Sequence, residues 1–182
     1  MIEITEVAKP TRTATNGHKL KSCCASVYAS DWARLLLGDS FHPGGLALTR
    51  RLGNLLKLQP GMRVLDLAAG RGTSAIFLAM QFDVEVVGVE YSIDGVKAAR
   101  AAAIDAGVSR QVRFLEGDAE ALRFRDNSFD AVICECAFCT FPDKEAAAAE
   151  ISRVLRPGGG VGLSDVTRVG SLPPELETML AW

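Results

Sequence analysis

Val64-Leu65-Asp66-Leu67-Ala68-Ala69-Gly70-Arg71-Gly72-Thr73-Ser74-Ala75 decides the fold: an apolar run ends on an acid, turns through two glycines and opens an amphipathic helix. A parallel sheet begins a nucleotide-like cofactor site in this way. Glycine serves where the backbone takes positive φ or where a ligand approaches closer than a Cβ allows, and the helix N-terminus that follows favours negative charge. Glu90 closes the second apolar run, Val84-Glu85-Val86-Val87-Gly88-Val89, where an acid is placed to accept hydrogen bonds from ribose hydroxyls. Read from Gly70, the turn is G-x-G-x-x-A, a dinucleotide fingerprint that keeps a nicotinamide-dependent oxidoreductase open as a reading.

Outward from the turn, strands are expected near 62–69, 84–90, 111–117, 129–135 and 160–166, with helices near 72–82, 93–106 and 143–155. Ser92 is the expected N-cap of the second crossover helix, Gly107 its stop, and Pro142 sits where the next helix starts. Strand after helix after strand implies a parallel sheet. Before it, apolar residues recur at three and four from Val27 to Leu37 and from Leu46 to Leu56, giving two helices, and Pro60-Gly61 ends that layer. The division expected is a loose arm over 1–16, a helical layer over 17–59 and a cofactor-binding core over 60–182. A chain of 182 residues, 48% hydrophobic, suits one well-cored domain.

A net charge of −2 supplies no basic field for a phosphate backbone, so the expected partner is a small molecule and not nucleic acid. Glu3 and Glu6 stand where a signal peptide would be basic and then apolar, and no run reaches the ~18 apolar residues of a membrane span. The protein is therefore expected to be cytoplasmic and off the membrane. Cys23, Cys24, Cys134, Cys136 and Cys139 make an odd number without an export signal, so they read as thiols.

In such a sheet the ligand binds beyond the carboxyl ends of the strands. Asp66, Glu90, Asp118 and Glu135 fall at four successive ends. One acid there is as readily a turn residue facing water, but four beside a glycine turn point to a cofactor rim. From Asp66 the turn reads D-x-A-x-G-x-G; Glu116-Gly117-Asp118, Phe129-Asp130-Ala131-Val132-Ile133 and Arg153-Val154-Leu155-Arg156-Pro157-Gly158-Gly159 follow in order. Together these resemble the class I S-adenosylmethionine (SAM) methyltransferases, with Ala68 where that family usually has glycine. The resemblance implies a Rossmann-like α/β fold of strand order 3-2-1-4-5 with helices on both faces, and a cofactor set of Asp66, Ala68, Gly70, Gly72, Glu90, Tyr91, Asp118, Ala119 and Glu135. Within that set, Asp66 would orient the turn or meet the methionine ammonium through water. Glu90 would hold the ribose diol, Asp118 the adenine amine, and Tyr91 either the adenine face or the core.

Glu135-Cys136-Ala137-Phe138-Cys139-Thr140-Phe141-Pro142-Asp143-Lys144 is similar to the segment after the fourth strand of arsenite methyltransferases, and Leu20-Lys21-Ser22-Cys23-Cys24 to their N-terminal cysteine segment. That similarity implies Cys136 as a metalloid-binding thiolate, with Cys23, Cys24 and Cys139 as further candidates. Trivalent arsenic binds thiolates and can attack a methyl sulfonium in line. The family's cysteine after the glycine turn is replaced by Thr73 and Ser74, its asparagine before the strand-four cysteine is Glu135, and its cysteine beyond the fifth strand has no counterpart. A small organic acceptor, or a catalytically silent SAM- or metalloid-binding module, therefore stands beside the arsenite reading. Cys134, inside a strand, reads as a small core hydrophobe. Cys136-x-x-Cys139 also fits a redox pair or half a zinc site. His42, before Pro43-Gly44, reads as a loop residue or a general base, and Tyr28 and Trp32 as cofactor-facing or as anchors of the first helix.

The family normally adds a helix and an antiparallel strand pair after the fifth strand, whereas here only Thr167–Trp182 follow Val166. The expectation is a sheet lacking that pair, with 161–166 as an open edge, and hence either a fragment of a longer product or a homodimer paired edge to edge.

Overall fold

The computed structural model describes Lys21 and residues 44–165. The expected arm, the helix from Val27 to Leu37, His42, Tyr28, Trp32, Cys23, Cys24 and the tail after Asp165 lie outside the described residues.

Helix α1 (Gly45–Leu55) precedes β1 (Arg63–Leu67), α2 (Thr73–Phe82), β2 (Glu85–Glu90), α3 (Ile93–Asp105), β3 (Val112–Glu116), β4 (Phe129–Glu135), a 3-10 turn (Phe138–Thr140), α4 (Lys144–Val154) and β5 (Leu155–Ser164). The strands form one five-stranded sheet in the order β3-β2-β1-β4-β5, and every neighbouring pair is parallel. The expected order holds. Among the described residues no helix is long and apolar enough to cross a membrane.

The apolar alternation within each strand splits the core in two, because successive side chains point to opposite faces. Val64, Val86, Phe114 and Ile133 face one way and pack with Leu52 of α1, Leu78 of α2 and Val96 of α3. Leu65, Val87, Val89, Val132 and Cys134 face the other and meet Phe124 and Phe129, as well as Ile151 of α4. Helices thus cover both faces of the strands.

Local signals act where expected. The Ser92 hydroxyl caps α3 by accepting from Gly95 N at 3.3 Å, and Gly107 follows that helix at φ +73°. Asp143 caps α4, accepting from Ala146 N at 2.8 Å, so the helix starts two residues past Pro142.

The fifth strand departs from expectation. It begins at Leu155 and not at 160: Leu155 pairs with Phe129, Gly160 pairs with Ala131, and the four residues Arg156–Gly159 stand opposite Asp130 alone. Pro157-Gly158-Gly159 reads as punctuation in sequence, but the ladder absorbs it as an irregularity and resumes. Arg156 pairs there with Asp130, whose other oxygen accepts from Arg63 N at 2.8 Å. Val161 and Leu163 of β5 remain half exposed at the edge of the described sheet.

The connection from β3 to β4 contains no helix. Arg153 of α4 holds it instead: its guanidinium donates to Leu122 O at 3.0 Å, Phe124 O at 2.7 Å and Asp126 Oδ1 at 2.8 Å. Glu150, one turn away, receives Arg153 Nε at 2.7 Å and Leu122 N at 2.6 Å. These charge-assisted bonds hold the Glu150 carboxyl below its ordinary pKa, burial opposing them.

Candidate functional site

The carboxyl ends of β1, β2 and β4 bring Asp66, Glu90 and Glu135 together, with Asp118 just beyond β3. Two residues of the glycine turn, Ala69 and Gly70, are tied to β2. Ala69 N donates to Val89 O at 3.0 Å, and Gly70 N donates to Glu90 Oε2 at 2.9 Å.

The two glycines serve different needs. Gly70 has φ +54°, and a Cβ there would meet nothing within 4 Å, so the turn presents bare backbone to an open face. Gly72, at φ +83°, caps α2, and a Cβ there would strike the Phe114 ring and Ala99. Gly72 is thus required by core packing as well as by conformation. Ala68 also takes a left-handed φ of +55°, so the backbone keeps the glycine geometry even where the residue is alanine.

Glu90 is 7% exposed, and each of its oxygens accepts a backbone N–H, Gly70 on one and Ser92 at 2.8 Å on the other. Its first task is to hold the glycine turn against the start of α3, a bond that position alone did not reveal. Burial raises its pKa, and the amide hydrogen bonds oppose that rise.

Asp66 is 3% exposed and accepts from the Ala75 backbone in the first turn of α2, but its Oδ2 is buried with no hydrogen-bond partner among the described residues. Burial first, then the Glu135 and Glu90 carboxylates, push its pKa well above the usual range. Glu135 receives Ser74 Oγ at 2.7 Å and Thr49 Oγ1 at 3.0 Å, which binds α1 and the start of α2 to the end of β4. Sequence reasoning missed Thr49, because a hydroxyl inside an amphipathic helix carries no local mark of a partner 86 residues away.

At the far end, Asp118 Oδ1 accepts from Glu120 N at 3.0 Å and its Oδ2 pairs with Lys21 Nζ at 2.7 Å; Lys21 also pairs with Glu120. Tyr91 stands in the field of the same groups. Burial, then Asp118, raises its phenol pKa, and Lys21 opposes. Ala119 is buried in the second core layer.

Cys134 is fully buried in that layer, and burial drives its pKa far up, in keeping with a core role. Cys136 directly follows β4 at φ +52° and donates its N–H to Ser164 O at 2.8 Å. Cys139 N donates to Asp165 Oδ2 at 2.8 Å. Burial and the hydrogen bond to Asp165 push the Cys139 thiol up to about 11, and burial with Asp165 and Glu135 also raises Cys136. Asp165 directly follows β5, at the same carboxyl edge where the other acids end or follow their strands, so the strand-end pattern that found them marks it too. Among the described residues no three His, Cys, Asp or Glu side chains are grouped to hold a metal ion.

Residues 64–159 match the family described as "Methyltransferase domain". Phosphoethanolamine N-methyltransferase 1 of Arabidopsis thaliana is 35% identical over 71% of this chain and 26% of its own length. The 27-O-demethylrifamycin SV methyltransferase of Amycolatopsis mediterranei is 39% identical over 71% of this chain and 47% of its own. The chain spans half or less of the length of these relatives. A SAM-dependent methyltransferase of Geobacter sulfurreducens, solved in complex with S-adenosyl-L-homocysteine, superposes with a TM-score of 0.56 at 29% identity, covering 64% of this chain and 47% of that one. With a single profile spanning the glycine turn, the acid-ended strands and the turn into β5, the chain belongs to the methyltransferase-domain family.

Proposed function

We propose that this chain forms the SAM-binding core of a methyltransferase that acts on a small-molecule acceptor. The observation that carries the reading is Asp66 Oδ2, a buried carboxyl oxygen without a partner among the described residues, at the end of the strand that leads into the Gly70 turn, where a Cβ would meet only open space. An unsatisfied buried acceptor costs about 1–3 kcal/mol, a cost that a cationic or N–H-bearing ligand removes. The residues present fit such a ligand: Asp66 and Glu135 suit its cationic methionine end, the second lone pairs of Glu90 its ribose hydroxyls, and Asp118 its adenine amine. When bound, SAM supplies an electrophilic methyl group on a sulfonium. The chain's own contribution is to hold the ribose and adenine ends and to keep the rim fixed, and good placement is worth roughly 7–11 kcal/mol of barrier.

For the acceptor, we favour a small organic molecule. Burial and the neighbouring carboxylates raise both thiols, Cys139 to about 11, so each gives up its proton less readily than a free cysteine, which works against a soft thiolate-bound metalloid. The matched relatives carry names of organic acceptors, phosphoethanolamine and 27-O-demethylrifamycin SV. Thiol-held trivalent arsenic is the second reading, favoured by the placement of Cys136 and Cys139 directly beyond β4, with Cys23 and Cys24 as further donors.

The deciding experiment is a labelled-methyl assay with SAM across amines, phenols, quinols and arsenite under reducing conditions, beside calorimetry with S-adenosylhomocysteine and with NAD. Binding of NAD in preference to S-adenosylhomocysteine would overturn the cofactor reading. Arsenite turnover lost in Cys136→Ser, with S-adenosylhomocysteine affinity kept, would replace the organic acceptor by the metalloid. Cofactor binding with no methyl transfer to any acceptor would leave a silent binding module.

A further inference from the structure

Lys21 is the one described residue before Gly44, and its side chain crosses to the cofactor rim. Nζ donates to Asp118 Oδ2 at 2.7 Å and to Glu120 Oε2, partners 97 and 99 residues away in sequence. The Lys21 side chain is 15% exposed and that of Glu120 13%, so this half of the contact is sheltered in a way that ordinary surface pairs, worth about 0–1 kcal/mol, are not, while Asp118, 32% exposed, stays open on its far side. Burial works against the ammonium, but the hydrogen bonds and charges of Asp118 and Glu120 outweigh it and hold the Lys21 pKa above its ordinary value.

The contact is part of a wider brace. Glu120 Oε1 accepts from Asp143 N at 2.9 Å, and Asp143 is the cap of α4, so one glutamate connects Lys21 to the loop that enters α4. Asp118 Oδ1 is fixed by Glu120 N. With both oxygens directed in this way, the lone pairs left on the Asp118 carboxylate have a set orientation. A carboxylate can accept about four hydrogen bonds, so the ammonium directs this group without filling it.

We propose that Lys21 is a positioning residue of the cofactor site, holding Asp118 and Glu120 together so that Asp118 presents its free lone pairs to the amine of a bound adenine. The proposal rests on the cofactor reading above. It assigns to Lys21 no contact with the reacting atoms. Its signature is base selectivity: a loosened Asp118 loses its grip on the 6-amine and nothing else.

The test measures the affinity of S-adenosylhomocysteine and of its 6-deamino analogue, in which the purine carries hydrogen in place of the amine. In the wild type the amine-bearing ligand binds more tightly. Lys21→Met should weaken S-adenosylhomocysteine about tenfold, the scale of one hydrogen bond to a charged group, and leave the analogue nearly unchanged. Lys21→Arg should restore most of the preference, and Glu120→Gln should give an intermediate loss with Asp118 intact. Thermal melting checks that each variant is folded. Equal weakening of both ligands in Lys21→Met would reduce the residue to a structural prop and overturn the proposal, as would an unchanged preference or tighter binding. A wild type that binds neither ligand defeats the cofactor reading itself, whereas wild-type preference that survives in Lys21→Met defeats only the role of Lys21.

Discussion

At the β1–β2 side of the rim, carboxylates meet backbone: Glu90 takes the N–H groups of Gly70 and Ser92, and Asp66 takes that of Ala75. At the β4–β5 side they meet side chains as well: Glu135 takes the hydroxyls of Thr49 and Ser74, and Asp165 bonds both the backbone and the thiol of Cys139. The first side depends on backbone conformation, which leaves a trace in sequence as glycine and spacing. The second depends on which side chains the fold brings close, and there the chemistry of a residue is set by neighbours far along the chain. A thiol that sequence similarity marks as a ligand is, beside Asp165, a thiol held protonated.

The sharpest way to break this contrast is along the left-handed positions. Gly72→Ala should cost about 2–4 kcal/mol, since it adds left-handed strain to a collision with Phe114. Gly70→Ala meets open space and should cost about 1 kcal/mol, from strain alone. Ala68→Gly relieves strain at φ +55° and should gain about 0.5 kcal/mol after the added chain entropy of glycine. Urea unfolding followed by circular dichroism ranks the three. Equal costs at Gly70 and Gly72 would mean that packing plays no part in the turn.

A smaller effect separates the buried acid from its neighbours. Asp66 has a folded pKa above the unfolded value of about 4, so its contribution to stability is complete below that pH and is lost as pH rises through the folded pKa. Asp66→Asn cannot lose it. The variant should therefore gain on the wild type as pH rises from about 4 toward neutrality, by about 1 kcal/mol, the low end of the cost of an unpartnered buried group. Unfolding midpoints across that range test it, and a difference that stays constant with pH would show that Asp66 does not titrate there.

The thiol side is probed by rate. With its pKa at about 11, Cys139 should react with iodoacetamide near pH 7.5 on the order of ten- to a hundredfold more slowly than a free thiol. Asp165→Asn should speed that reaction by removing the charge that holds the proton. Peptide mapping after timed labelling reads each cysteine separately, and no acceleration in the variant would put the protection down to burial alone.

The capping of α3 by Ser92 and its end at Gly107 were legible because each depends on residues within a few positions of one another, whereas the sheet order, which joins β1 to β4 across more than sixty residues, was legible only through the resemblance to the SAM methyltransferases. The four acids were legible as places at strand ends, though not as partners, since spacing locates Glu90 without showing that it binds Gly70 and Ser92. The start of β5 was misplaced because Pro157-Gly158-Gly159 carries a turn signal that the ladder overrides. Lys21, Glu120 and Thr49 were not legible at all, as their partners lie on other elements and no periodicity marks them.

The Arg153 clasp has a dynamic consequence. One guanidinium closes the chain from Leu122 to Asp126 onto α4, and the neighbouring amides of Asn127 and Ser128 bond to Arg153 O and Val154 O at the same helix end. Amides whose acceptors all lie on the last turn and end of one helix exchange with solvent through one shared opening of that contact. Leu122, Asn127 and Ser128 should then exchange at a common free energy and form a single foldon beside the sheet. Asp118 stands four residues before that unit, so each opening of the clasp would also loosen the chain that carries Asp118 at the rim, and the order of that carboxylate would depend on α4 as well as on its own partners.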